Sequence, residues 1–308
     1  MAQLNRRQVL SLLAATGAAA AMPKAFAAPH VAPQPFSFHF FTDLHIQPEL
    51  NAGTGVSMAF RHGRKFKSDF ALLGGDHVFD SLAVPRERTL ALYDLYDKTE
   101  QELGLKVYHT IGNHDVVGIY PASGMPPTDP LYGKKLFRDH FGKLYYSFNH
   151  KGYHFIVLDS ISITDKHSYE GRIDAEQMQW LAAELAAQPA GTPIIVCSHI
   201  PLVTAMERYL PPASKPSSQI NVINSNEVVP LFTGYNVIGV LQGHTHVNET
   251  VIYKGIPYIT SGAVCGNWWQ GTRLGFPEGF TMVNVSGNKL TTHYETYGFH
   301  AVEPQHNT

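Results

Sequence analysis

The chain of 308 residues is 44% hydrophobic and 16% charged, which excludes a disordered polyelectrolyte and a membrane-spanning bundle and allows a sizeable core. Its formal charge is −2, and without Arg6, Arg7 and Lys24 of the first 27 residues the remainder holds 20 basic against 25 acidic side chains, which argues against a nucleic-acid surface. Two cysteines, Cys197 and Cys265, are too few for a disulfide framework or a zinc ribbon, so the unusual count is histidine, at 17.

Residues 1–27 read as a cleavable export signal: a basic start, an Ala/Leu-rich stretch from Val9 to Met22, and Ala25-Phe26-Ala27 as a small-x-small cleavage site. Asn5-Arg6-Arg7-Gln8-Val9-Leu10 resembles the twin-arginine signal, which implies passage through that export machinery in the folded state. The apolar stretch is 14 residues long, short of the ~20 needed to span a bilayer, and no cysteine near the cleavage site offers a lipid anchor. A single domain over 28–308, periplasmic or secreted and without a stable membrane anchor, is the expectation.

In the mature chain, Phe36 to Phe41 is an aromatic-rich strand that stops at Thr42-Asp43-Leu44-His45. Phe70 to Leu73 is a second buried strand, ending at Gly74-Gly75-Asp76-His77. Apolar residues recur at helical spacing between Pro85 and Gly104. The strand Lys106–Ile111 follows and ends at Gly112-Asn113-His114-Asp115. Asp43, Asp76 and Asn113 are 33 and 37 residues apart, about the size of a βαβ unit. Tyr145–Asn149 and Tyr153–Asp159 suggest a hairpin, and Asp174 to Gln188 an amphipathic helix with Asp174 as N-cap. The strand Ile194–Cys197 runs into Ser198-His199, a short helix covers Asn226–Phe232, and the strand Val237–Leu241 ends at Gln242-Gly243-His244-Thr245-His246. Short strands near 251–253, 258–260, 281–285 and 289–294 complete a mixed, increasingly antiparallel pattern. Three segments without periodicity, 118–130, 201–225 and 266–279, are long enough to expect function of them.

Five strand ends thus carry Asp-x-His, Gly-Asp, Gly-Asn-His-Asp, Ser-His and Gly-His-x-His. Ligands of open α/β sheets bind outside the carboxyl ends of the strands, so these groups can converge. Two carboxylates, one carboxamide and four imidazoles suit divalent Zn, Mn or Fe and not Ca. Seven side chains exceed one coordination sphere, and a bridging carboxylate would let them hold two ions.

In this order the motifs resemble the calcineurin-like metallophosphoesterase superfamily, over residues 36 to 260. The resemblance implies an α/β fold, a four-layer α/β/β/α sandwich with mixed sheets. It also implies one metal on Asp43, His45 and His246, a bridge at Asp76, and a second metal on Asn113, His199 and His244. His114 would be the catalytic residue off the metals, contacting the phosphate and protonating the leaving oxygen, with Asp115 holding its ring. Small-molecule phosphomono- or phosphodiesters would be the substrates. Purple acid phosphatases carry a Tyr three residues after the bridging Asp, where this chain has Phe79, and usually Glu where it has Asp115, which argues against a purple iron centre. The spacing from Gly171 through Gln177 to Trp180-Leu181 resembles bacterial class III cyclic-nucleotide phosphodiesterases and related phosphatases.

Other residues have a functional and a structural option. His77 is either a partner of the site or an exposed strand-end residue, and His109, His150, His154 and His167 lack ligand spacing and are structural. Trp268-Trp269 could stack on a substrate or pack a loop against the sheet. Arg172, Arg208 and Arg273 are candidates for phosphate contacts. Cys197 is a packing residue, and a Cys197–Cys265 disulfide is possible in an oxidising compartment. A metal-binding module without turnover is the rival to an enzyme, opposed by the His114-Asp115 pair. A nuclease or nucleotidase is the other, a nuclease being opposed by the acidic charge.

Overall fold

The computed structural model describes residues 31–211 and 217–305, so the expected export signal, residues 1–27, lies outside the described residues. Two sheets form the frame. The first has the order β13-β12-β1-β2-β3, with β1 (Phe36–Phe41) parallel to β2 (Ala71–Leu73), β2 parallel to β3 (Val107–His109), and β12 (Gly279–Ser286) antiparallel to both β1 and β13 (Lys289–Thr296). The second has the order β10-β11-β9-β8-β5-β4, in which β5 (Tyr153–Leu158), β8 (Ile194–Ser198), β9 (Val237–Gln242) and β11 (Ile256–Thr260) run parallel. Its edges, β4 (Tyr146–His150) and β10 (Glu249–Tyr253), are antiparallel to their neighbours. A separate hairpin joins β6 (Ile161–Thr164) to β7 (Ser168–Gly171).

The sheets pack face to face because alternate residues of their strands are apolar. Phe36, Phe38 and Phe40 of β1, with Phe70 and Leu72, meet Tyr153, Phe155, Val157, Ile195 and Leu241 of the second sheet. The opposite side of β1 and β2, at Phe41, Ala71 and Leu73, is covered by α1 (Ala52–Gly63) and α2 (Arg86–Glu100) through Val56, Phe60, Leu92 and Tyr96. The outer face of the second sheet, at Ile156, Val196 and Val240, is covered by Leu181 and Leu185 of α4 (Ala175–Ala186) and by Val228 of the short α5 (Ser225–Val228). Four layers in the order α/β/β/α result, as expected. Strands buried on both faces need no polar alternation, which is why β5 and β9 are buried throughout. Asp174 caps α4 as expected, accepting from the Gln177 amide.

Several elements were not foreseen. The helix α1 carries three glycines, and an added Cβ at Gly55 would stand 2.1 Å from the Trp269 ring. This helix is defined by what lies on it, not by propensity. The helix α3 (Lys135–Phe141), of seven residues, and the β6–β7 hairpin also escaped periodicity. Cys197 and Cys265 do not pair: both are free and buried, Cys197 in the core between the sheets and Cys265 in the core beneath the first helical layer.

Candidate metal centre

The carboxyl ends of β1, β2 and β3 in one sheet and of β8 and β9 in the other bring all seven expected ligands to one place. Asp43, His45, Asp76, Asn113, His199 and His246 are buried, and His244 is half-buried. The close approach depends on missing side chains. A Cβ on Gly112 would stand 2.1 Å from the Asp76 amide nitrogen, and one on Gly243 would stand 2.1 Å from Thr42 Oγ1 and 2.8 Å from Asp43 Oδ2. Five of the seven, Asp43, His45, Asp76, His244 and His246, have φ between 43° and 74°. Left-handed backbone costs a residue with a side chain roughly 1–2 kcal/mol, and its concentration here marks strain held in place for the sake of ligand direction.

Ligand atoms about 2.0–2.2 Å from a divalent ion lie roughly 3–3.5 Å from one another. His246 Nε2 is 3.3 Å from Asp43 Oδ1 and 3.2 Å from His45 Nε2. His199 Nε2 is 3.2 Å from Asp76 Oδ2 and 3.1 Å from Asn113 Oδ1. His45 Nε2 is 3.5 Å from that same Asp76 Oδ2. Asp76, His199 and His244 form one group of mutually close donor atoms, and His45, Asp76 and His114 another.

The histidine tautomers fit cation binding. His45, His199 and His246 donate from Nδ1 to the carbonyls of Phe79, Gly74 and Gly266 at 3.3, 2.7 and 2.7 Å, which leaves the Nε2 lone pairs facing the cluster. His244 is reversed, donating from Nε2 to the Gln219 carbonyl at 2.7 Å. Two imidazole lone pairs 3.2 Å apart, as in His45 and His246, repel unless a cation or a proton lies between them. Burial opposes a proton on His199, but the Asp76 and Asp43 carboxylates outweigh it and raise its pKa to about 9. Burial and the neighbouring His199 push His244 down to about 4. Despite burial, the His199 and His114 imidazoles hold the Asp76 carboxyl well below its usual range. An ion bound at His199 therefore has to displace a proton. Asp43 is fixed by the Thr42 hydroxyl at 2.7 Å and by the His244 amide at 2.9 Å.

The structure corrects the expected role of Asp115. Its carboxylate does not touch the His114 ring but accepts from the amides of Gly112 at 2.9 Å, Asp76 at 3.1 Å and His77 at 2.9 Å, and from His77 Nδ1 at 2.9 Å. It ties the loop after β2 to the loop after β3. The carboxylate beside His114 is Asp80, with Oδ1 3.8 Å from Nδ1. His114 is 19% exposed, and its backbone amide donates to Asp76 Oδ1 at 2.8 Å. His77 is fully buried among Tyr96, His109 and Phe141, not exposed. His109, His150 and His154 pair with Glu100, Asp69 and Glu184 away from the ligands, and His167 is exposed in the β6–β7 turn.

The adjacent tryptophans have different surroundings. Trp269 is buried and donates to the His45 carbonyl at 2.9 Å, whereas the Trp268 ring centre lies 4.1 Å from His45 and 5.1 Å from both His114 and His246. Phe79, in the position discussed for purple iron centres, packs edge-on to Trp268 at 5.8 Å. Among the three arginines, Arg172 pairs with Glu170 and Arg208 is exposed, while Arg273 lines a cavity with His244 and His246. Asp80 and the Gln219 carbonyl were missed, because a four-residue offset and a backbone acceptor leave no motif.

Solved structures with this arrangement of layers include a dimetal phosphatase from Danio rerio, with TM-score 0.59 and 16% identity over 86% of this chain and 100% of that one. A purple acid phosphatase from yellow lupin seeds gives TM-score 0.59 and 13% identity over 86% of this chain and 52% of its own. In sequence, a cAMP/cGMP dual specificity phosphodiesterase of Mycobacterium tuberculosis is 27% identical over 114 residues, 37% of this chain and 32% of the relative. A probable cyclic nucleotide phosphodiesterase of Rhodococcus erythropolis is 26% identical over 153 residues, 50% of this chain and 46% of the relative. The aligned segments span less than half the length of either curated relative. The family profile described as calcineurin-like phosphoesterase matches residues 36–248, a range that contains every one of the converging ligands, and the chain belongs to that family.

Proposed function

We propose that the chain is an exported hydrolase of phosphomono- or phosphodiesters that works with two divalent ions of manganese, iron or zinc. One observation carries this: a single oxygen, Asp76 Oδ2, stands 3.5 Å from His45 Nε2 and 3.2 Å from His199 Nε2, between two ligand sets. Asp43, His45 and His246 would hold one ion and Asn113, His199 and His244 the other, with Asp76 shared. When bound, the pair supplies Lewis acidity to phosphoryl oxygens and lowers the pKa of water from ~15.7 toward ~7. His114 acts beside the ligands. Its Nδ1 faces Asp80, so Nε2 is the nitrogen that carries a proton to the departing ester oxygen. Asp80 stands beside the ring, and Asp115 keeps the loops after β2 and β3 in register.

The names of the curated relatives make cyclic-nucleotide diesters the first class to test, and the dimetal phosphatase makes monoesters the second. The test loads the chain with Mn²⁺, counts ions by elemental analysis, and assays 3′,5′-cyclic AMP, bis(4-nitrophenyl) phosphate and 4-nitrophenyl phosphate. Two ions per chain and turnover of at least one ester are expected. One ion or none refutes the dinuclear part, and two ions without turnover of any ester favours a metal-binding module. Export rests on the sequence pattern of residues 1–27 alone. No helix among the described residues is long and apolar enough to cross a membrane.

A further inference from the structure

Beside the candidate ligands lies a cavity of about 160 Å³, lined by Trp268, Thr245 and Arg273 together with Met206, Leu210 and Ile220. A cavity of roughly 150 Å³ lined by apolar side chains holds one benzene ring. Two features say what that ring should carry. Arg273 is half-buried, and among the described residues no carboxylate pairs with it. Its backbone is pinned: Arg273 and Phe276 exchange amide-to-carbonyl bonds of 2.8 Å around a two-residue turn whose centre, Leu274 and Gly275, has φ of 49° and 83°. A half-buried guanidinium without a carboxylate partner, on a residue that lines a small cavity, lacks a counter-charge that a ligand can provide.

We propose that this cavity is the leaving-group subsite, and that it selects phosphoesters whose alcohol is a single planar ring bearing an anionic or hydrogen-bond-accepting group opposite the ester oxygen. This rests on the hydrolase reading above and names its substrate class. The ring lies between Trp268 and the apolar wall, and its acceptor reaches Arg273. Water forms the new bond to phosphorus and gives up one proton to solvent, the bond from phosphorus to the ring oxygen breaks, and that oxygen leaves as a phenol with a proton from His114, which regains one from solvent. Trp268 touches both His114 and His246, so a ring beside it is within reach of the acid and the metal ligands.

The probes are 4-carboxyphenyl phosphate and phenyl phosphate. Because the two phenols differ in acidity, the quantity read is the change in their kcat/KM ratio on substitution. Arg273→Ala should lower the ratio of carboxylate to plain ester by roughly 10- to 100-fold, the worth of a charge-assisted hydrogen bond. Arg273→Glu should invert it, favouring 4-(aminomethyl)phenyl phosphate over the carboxylate. Calorimetry with the non-hydrolysable 4-carboxyphenylphosphonate and phenylphosphonate reads the subsite without turnover, and the carboxylate should lose its advantage in both variants. An unchanged ratio and an unchanged binding preference in both variants overturn the subsite. Absence of turnover in the wild-type chain, with the phosphonate preference present and lost on substitution, sinks the hydrolase reading and leaves the subsite standing.

Discussion

Replacing Asp115 by Asn separates a residue that orients His114 from one that holds two ligand loops together. The amide of Asn keeps the shape but turns one oxygen into a nitrogen that cannot accept. Placed at Oδ2 it would abandon Asp76 N, Gly112 N and His77 Nδ1; placed at Oδ1 it abandons His77 N at 2.9 Å and a long bond from Val78 N at 3.4 Å. The second orientation is cheaper. It still orphans a buried amide and weakens the remaining bonds from charged to neutral strength, for a loss of about 3–5 kcal/mol. At roughly 2–4 °C per kcal/mol for a chain of about this size, Tm of the metal-free protein should fall by about 6–20 °C. Metal affinity should fall about 10- to 100-fold because the His77 amide, next to Asp76 in the chain, loses its anchor and the bond to the Asp76 amide weakens. Denaturant titration and competition with a metal indicator read the two effects. If Asp115→Asn instead keeps its stability and its metals, and loses only kcat together with one limb of the pH profile, Asp115 serves His114 and the assignment made here is wrong.

His114→Ala should retain both ions while kcat drops roughly 10²–10⁴-fold, more for alkyl than for nitrophenyl esters, because a poor leaving group needs the proton; loss of an ion would make His114 a ligand. Asp76→Ala should lose metal by elemental analysis and activity toward every ester, and retention of both ions would remove the bridge. His39 is fully buried in β1, and desolvation lowers its pKa to about 4 despite the Gly63 carbonyl. The unfolded chain therefore takes up a proton first as pH falls, so stability should drop by roughly 3 kcal/mol between about pH 6.5 and 4, and His39→Gln should flatten that part of the denaturation profile. Arg6→Lys with Arg7→Lys should leave uncleaved precursor inside a bacterial host, and normal processing would point to the general secretory route.

The convergence of the candidate ligands was legible because its constraints are local. Each follows the end of a strand, and Gly75, Gly112 and Gly243 immediately precede Asp76, Asn113 and His244, where the backbones pack too closely for a side chain. The same locality gave β1, β8 and β9. What pattern could not supply is whatever depends on a distant neighbour. The Gly-bearing α1 is stabilised by Trp269, more than two hundred residues later. Asp115 looked like a partner for the histidine beside it because proximity in sequence is visible, and three amide donors folded around it are not. The three arginines were indistinguishable until folding gave Glu170 to one and the ligand-side cavity to another.

Ligands come from both sheets: Asp43, Asp76 and Asn113 follow strands of the first, and His199, His244 and His246 follow strands of the second. An occupied centre would therefore be a rivet through the sandwich, alongside the aromatic seam of Phe38, Phe70 and Phe155. Bound ions would resist sliding of one sheet over the other, and the seam would in turn set the gap the ions must span. Repacking at Phe155, deep between the sheets, is then a means of tuning metal preference without altering a ligand.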